Sequence, residues 1–282
     1  MLKTRLRQFL DLVALSRLAR NPWRAYGYLR RGRQPDRLDL HFGGMEISAR
    51  KQDWSSVREV LIEDEYRCLD HLFGRSDRPR VLDLGANIGC FALRTFSRLP
   101  HARVASVEAA DDTADVLEQN RRSNPDLDWT VIRGAVWKSD GPLHLSRMGN
   151  SASHRVGNGA GMERVEGLSL DTILARLGWD GVDLVKMDIE GAESEVVSSA
   201  SEILAHTDKL TIEIHDDRID GDEVLRHLAR SFSCWHKLTD RKSTKPLLLL
   251  SKSPVSLPPA WAEAIDAPHV MPGSATPVQG TI

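Results

Sequence analysis

The sequence predicts an α/β chain with a mostly parallel sheet covered by helices on both faces. Between about residues 56 and 252, apolar runs at strand spacing alternate with amphipathic stretches at helical spacing. The first strand candidate runs directly into a glycine turn and an apolar helix, the usual opening of such sheets. With 41% hydrophobic and 28% charged residues, the 282-residue chain can bury a sizeable core. That composition excludes collagen-like, wholly disordered and membrane-embedded classes.

Residues 1–55 read as a basic arm and lead-in. Positions 1–37 hold ten Lys or Arg against Asp11 and Asp36, a surplus of +8, so that with a total of −2 the remainder carries −10. Leu2, Leu6, Phe9, Leu10, Val13 and Leu18 recur at helical spacing. The arm is expected to be an amphipathic helix that packs on its own domain or touches an anionic membrane surface or acidic partner. Asp11 and Arg17 interrupt any secretory signal core. Apolar runs such as Leu247–Leu250 fall far short of the roughly 20 residues a membrane span requires. Cys68, Cys90 and Cys234 form no C-x-x-C pair, which points to a reducing, cytoplasmic setting.

Within 56–252 the expected strands are 80–84, 103–108, 129–136, 182–188, 209–215 and 246–251. The expected helices lie around 57–73, 90–99, 111–122, 170–177, 191–205 and 221–230. Glycines at 141, 149, 157, 159 and 161 with Pro142 break the rhythm over 140–168, which reads as inserted hairpins and loops of the kind that carry substrate contacts. From Ser253 the tail holds six of the thirteen prolines and is expected to be largely disordered.

The candidate site begins at Asp83-Leu84-Gly85-Ala86-Asn87-Ile88-Gly89. A dinucleotide fingerprint would place glycine where Asn87 stands, and the Asp83 carboxylate would repel phosphate but could hold an ammonium. These features suit the amino-acid end of S-adenosylmethionine, with Gly85 and Gly89 letting the backbone approach a ligand. Glu108, closing the second strand one βα unit later, could accept hydrogen bonds from both ribose hydroxyls.

The fourth strand should be almost wholly apolar if central, yet it contains Asp183, Lys186 and Asp188. Lys186 could pair with a carboxylate. Glu193 and Glu195 suit the first turn of the next helix through its dipole. On the fifth strand Glu213 and His215 share a face and end beside the same sheet edge. Asp188, Glu190, Glu213 and His215 therefore form a group able to hold Mg²⁺ or Mn²⁺ or to act as general base; a satisfied hydrogen-bond network is the plainer alternative.

Together, Asp83-Leu-Gly-Ala-Asn-Ile-Gly89, Glu108, Val185-Lys-Met-Asp-Ile-Glu-Gly-Ala-Glu193 and Ile212-Glu-Ile-His215 resemble the FkbM-type family of S-adenosylmethionine-dependent methyltransferases. The likeness runs from about Tyr66 to Leu250. It implies a Rossmann-like methyltransferase fold and an O-methyltransferase acting on a sugar, polysaccharide or secondary-metabolite hydroxyl. It also places Asp83, Gly85, Asn87, Gly89 and Glu108 on the cofactor motif and Asp188, Glu190 and His215 toward the acceptor as the catalytic group; Ala135, at the end of the third strand, stands where a Rossmann-like methyltransferase usually surrounds the adenine, with a buried small-residue turn as the equal alternative. A small-molecule or glycan acceptor is expected and no nucleic acid, because the carboxylates would repel a phosphate backbone. An NAD(P)-dependent oxidoreductase and a catalytically silent binding module are the rivals.

Overall fold

The computed structural model describes residues 13, 15–19, 21–31, 37–72, 77–146, 155–156, 163–215, 219–238, 246–258 and 260–265. In chain order come helix α1 (Pro22–Arg31), strands β1 (Leu38–Phe42), β2 (Met45–Ala49) and β3 (Arg80–Leu84), α2 (Cys90–Arg98), β4 (Arg103–Glu108), α3 (Asp111–Arg122), β5 (Trp129–Arg133) and β6 (Ala135–Val136). They continue with β7 (Gly141–Ser146), β8 (Arg155–Val156), β9 (Glu163–Leu168), α4 (Leu170–Leu177), β10 (Leu184–Met187), α5 (Glu193–Ser199), α6 (Ser201–Ala205) and β11 (Lys209–Glu213). The last are α7 (Gly221–Leu228), β12 (Cys234–Lys237), β13 (Leu247–Ser251) and β14 (Glu263–Ile265).

Eight strands form the main sheet in the order β14-β12-β13-β11-β10-β3-β4-β5. From β11 through β5 they run parallel, while β13, β12 and β14 pair antiparallel. Alternation along the strands feeds a core on each face. Val81, Leu184, Leu247 and Leu249 join one with Phe91, Leu93 and Leu117. Leu82, Val185, Leu248 and Leu250 join the other with Ile173, Val196 and Val224. This is the Rossmann-like architecture expected from the sequence, with its reversal of strand order between β3 and β10, where such sheets place their ligands.

Several elements differ from expectation for identifiable reasons. The stretch expected as one helix over 57–73 is a wide π-type turn, Val57–Ile62, and a 3₁₀ turn, Arg67–His71. Asp64 between them has φ 51°, and buried Arg94 grips Asp64 and Asp70 at 2.7 Å each. The strand expected over 129–136 breaks at Gly134, φ 150°. Residues 135–136 then pair with β9 in a second sheet ordered β6-β9-β7-β8.

The lead-in is also more integrated than a separate arm. Leu15, Leu18, Leu40 and Ile47 are buried in the core against α2, and β1 and β2 form a hairpin about Gly43-Gly44. The outer edge of β2 is closed by side chains: Asn120 exchanges hydrogen bonds with the Ser48 backbone and Asn124 with that of Glu46. Trp23 on α1 stands 73% exposed, whereas Leu2, Leu6, Phe9 and Leu10 lie outside the described residues. The tail begins in order, because β14 extends the sheet and Ala262 is buried; its residues 266–282 lie outside the described set. No helix among the described residues is long and apolar enough to cross a membrane.

Candidate active site

The turn after β3 is built from its own hydrogen bonds. Gly85 and Ala86 both donate to the Val107 carbonyl, Gly89 donates to that of Ala86, Asn87 to Glu108 Oε2 at 2.8 Å, and Ile88 to Asn87 Oδ1. Every backbone N–H from 85 to 89 is thus engaged inside the protein, whereas a pyrophosphate-binding loop aims such groups at its ligand. Asn87 adopts φ 51°, a left-handed conformation asparagine tolerates.

The glycines also serve internal packing. A Cβ on Gly85, at φ 73°, would stand 1.8 Å from the Asp188 carbonyl oxygen. One on Gly89 would meet the Trp129 ring at 2.6 Å. The close approach at Gly85 is therefore between two strand ends, and it presses the turn directly against the acidic segment after β10.

Asp83, expected to hold a ligand's ammonium directly or through water, has an ammonium of the protein beside it. It is fully buried, and the ammonium it meets is that of Lys186, with Nζ 3.2 Å from Oδ1. The cause is register: Asp83, Ser106 and Lys186 are cross-strand neighbours on β3, β4 and β10. The Ser106 hydroxyl also bonds Asp83 and takes a hydrogen bond from Trp129, and Lys186 further donates to the Gly85 carbonyl at 2.7 Å. Burial pushes the Asp83 carboxyl up, opposed by the Lys186 cation. Burial pulls Lys186 down, but Asp83 and Asp188 outweigh it and keep the amine charged.

Glu108 is placed as expected at the end of β4. Its two oxygens accept from the N–H groups of Asn87 and Ala110, at 2.8 and 2.9 Å. Each oxygen retains acceptor capacity, which fits a pair of ribose hydroxyls. Burial pushes its pKa up to about 7 against the pull of those hydrogen bonds. Ala135 follows Gly134, whose N–H bonds the Glu108 carbonyl, and lies in a small apolar cluster with Ala110. Within the inserted stretch 140–168, residues 147–154 and 157–162 lie outside the described residues.

Across the Gly85–Asp188 contact, the acidic group converges on one imidazole. His215 is fully buried, with Nε2 at 3.3 Å from Glu190 Oε2, 3.7 Å from Asp188 Oδ1 and 3.9 Å from Glu213 Oε1. Glu190 itself sits at φ 59°. Burial pulls His215 down, but its contacts with Glu190 and Glu193 prevail and lift its pKa to about 10.

Sequence reading missed Glu193, to which it gave only a helix-dipole role. Glu193 is fully buried and its Oε1 stands 2.8 Å from His215 Nδ1. The available signal was its place in the acidic run itself: Gly191 N–H also bonds Oε1, so the turn that exposes Asp188 and Glu190 folds Glu193 inward.

The family profile described as Methyltransferase FkbM domain matches residues 83–237. Over 195 residues the chain is 29% identical to Methyltransferase sdnD of Sordaria araneosa, covering 55% of this chain and 75% of that protein. It is also 27% identical over 221 residues to AMB antimetabolite synthetase AmbE of Pseudomonas aeruginosa, covering 64% of this chain but a tenth of the synthetase. Among solved structures, the N-terminal domain of EvdMO1 with SAH bound aligns at TM-score 0.40 and 11% identity, over 67% of this chain and 79% of that one.

Proposed function

The chain belongs to the FkbM methyltransferase family, and from that premise we propose that it is an S-adenosylmethionine-dependent O-methyltransferase acting on a sugar, polysaccharide or secondary-metabolite hydroxyl. The observation that carries this reading is the contact of Gly85 with Asp188, which sets the cofactor turn against the acidic group. Bound S-adenosylmethionine supplies an activated methyl on its sulfonium. Glu108 receives the ribose hydroxyls, and Ala135 with the apolar cluster around it borders the adenine. The gain from holding donor and acceptor in line is one of orientation.

The acceptor hydroxyl must lose its proton as its oxygen is methylated. Asp188 and Glu190 face it at the sheet edge, and His215, with its proton in place, fixes both carboxylates electrostatically. The proton passes to this carboxylate pair. Such a concentration of negative charge favours a small-molecule or glycan acceptor over a nucleic acid. The likeness to a segment of an antimetabolite synthetase leans toward a secondary metabolite. Free Cys68 and Cys90, both buried thiols, fit the reducing cytoplasm.

Titration calorimetry with S-adenosylhomocysteine, NAD and NADP tests the reading. S-adenosylhomocysteine is expected to bind alone, and Glu108→Ala to weaken it by at least ~10-fold, the loss of a charge-assisted pair of hydrogen bonds. Binding of NAD in its place would return the oxidoreductase rival, against which the internally satisfied turn speaks. Binding of none of the three would leave the silent module.

A further inference from the structure

We propose that Asp188, Glu213 and His215 form a divalent-cation site for Mg²⁺ or Mn²⁺, with Glu193 as the carboxylate that fixes the His215 ring. One ligand atom from each of the three lies within 4.8 Å of the others. His215 Nε2 stands 3.7 Å from Asp188 and 3.9 Å from Glu213. Ligands around an ion at ~2.1 Å lie roughly 3.0–4.2 Å apart, so both spacings suit a shared ion. Two carboxylates and an imidazole without sulfur are a donor set for a hard cation, and His215 gives up its Nε2 proton to solvent as the ion binds while Nδ1–H stays on Glu193.

A second observation points inward to the same place. Fully buried His215 has no partner in hydrogen-bonding geometry at Nε2, and neither has buried Asp188 Oδ1. A buried polar atom is ordinarily satisfied, and two orphans facing each other mark the place of a missing group. The far side of the ring is already settled, since Nδ1 meets Glu193 at 2.8 Å. That is the carboxylate–histidine arrangement that holds a ligating ring in orientation with its other nitrogen toward a metal.

Asp188 is the most exposed member of the three. Glu213 is 4% exposed and His215 0%, while Asp188 is 29% exposed at the sheet edge. A cation here would present its open positions where the acceptor arrives and lower the pKa of a bound hydroxyl. Glu190, outside the ligand group, remains to take the proton. This catalytic use rests on the methyl-transfer reading; the binding does not.

Mn²⁺ titration of the full chain, read by electron paramagnetic resonance with and without S-adenosylhomocysteine, tests it. One bound Mn²⁺ is expected, weakened at least ~10-fold in both Asp188→Asn and Glu213→Gln and ~10–100-fold in Glu193→Gln, the usual cost of losing an outer carboxylate. Circular dichroism and S-adenosylhomocysteine affinity identify any variant that fails to fold, and Asp188→Asn, at the half-exposed position, then decides. Absence of Mn²⁺ binding at millimolar concentration by folded wild type, or equal binding by wild type and Asp188→Asn, overturns the site. Mn²⁺ binding without S-adenosylhomocysteine binding would sink the methyltransferase reading and leave the site standing.

Discussion

Glu108 couples the cofactor site to protons. Its folded pKa of about 7 lies above the ordinary 4.5, so between those values the folded protein holds a proton that the unfolded chain releases. This group therefore favours the fold most at low pH, and that contribution is lost as pH rises through about 7, at most about 3 kcal/mol for the full shift. Ribose hydroxyls donate to the ionised form, so a bound adenosine ligand draws the pKa down and binding releases a proton. S-adenosylhomocysteine affinity is expected to fall roughly tenfold between pH 7.5 and 6 in calorimetry, and Glu108→Gln to bind weakly with no such slope. A flat profile in wild type would show that Glu108 does not titrate with the ligand. The positions of Glu108 and Asn87 were legible because each follows from a local strand-turn pattern. That Lys186 pairs with a carboxylate was legible, but not that Asp83 is the partner, since a lysine on β10 becomes the neighbour of β3 only through register; the inward turn of Glu193 depends instead on how the Gly191 turn folds.

At the level of elements, α3 illustrates how a side chain can complete a sheet edge. Asn120 on the last turn of α3 and Asn124 just past its end meet Ser48 and Glu46, two residues apart on β2. Asn120 Nδ2 also bonds the Ile88 carbonyl at 2.8 Å, so this one amide ties the hairpin to the cofactor turn. Asn120→Ala strands the Ser48 N–H and two carbonyls in the interior and is expected to cost about 2–4 kcal/mol in urea unfolding. Asn124→Ala, which has no bond to Ile88 and serves the half-buried Glu46, should cost less, and equal losses would show that the link to Ile88 carries no weight. Six of the eight strands of the main sheet were readable because both faces are buried and their runs are mostly apolar, whereas β12 (Cys234–Lys237), with polar His236 and Lys237, and the three-residue β14 (Glu263–Ile265) carry no such run. The β1–β2 hairpin was overlooked despite its alternating Leu38, Leu40 and Phe42 before Gly43-Gly44, a hairpin signal in its own right, masked by the basic residues that precede it.

At the scale of the molecule, the C-terminal segment closes the fold. Proline content predicts disorder from Ser253, yet three apolar anchors between prolines return the chain to the body: Val255, Leu257 and Trp261 pack on the core. Trp261 stacks near His71 at 5.2 Å and under Arg67 at 5.6 Å, on the 3₁₀ turn whose Asp70 holds Arg94. Beyond it β14 covers β12, the last strand of the sheet. Composition averages over such a stretch and so cannot see that its few apolar residues are spaced to reach one surface. If the segment were a passive tail, a chain ending at Lys252 would unfold like the full chain. Burying a large apolar side chain contributes about 1.5–3 kcal/mol, and these three are only partly buried, so the cut is expected to cost at least ~3 kcal/mol. That corresponds to a midpoint lower by roughly 6–12 °C in a thermal scan for a domain of this size. Trp261→Ala in the full chain should reproduce about half of the loss, because it removes the anchor and leaves the β12–β14 ladder. Unchanged midpoints in both would mean that the edge strand contributes nothing to stability and that β12 suffices as the border of the sheet.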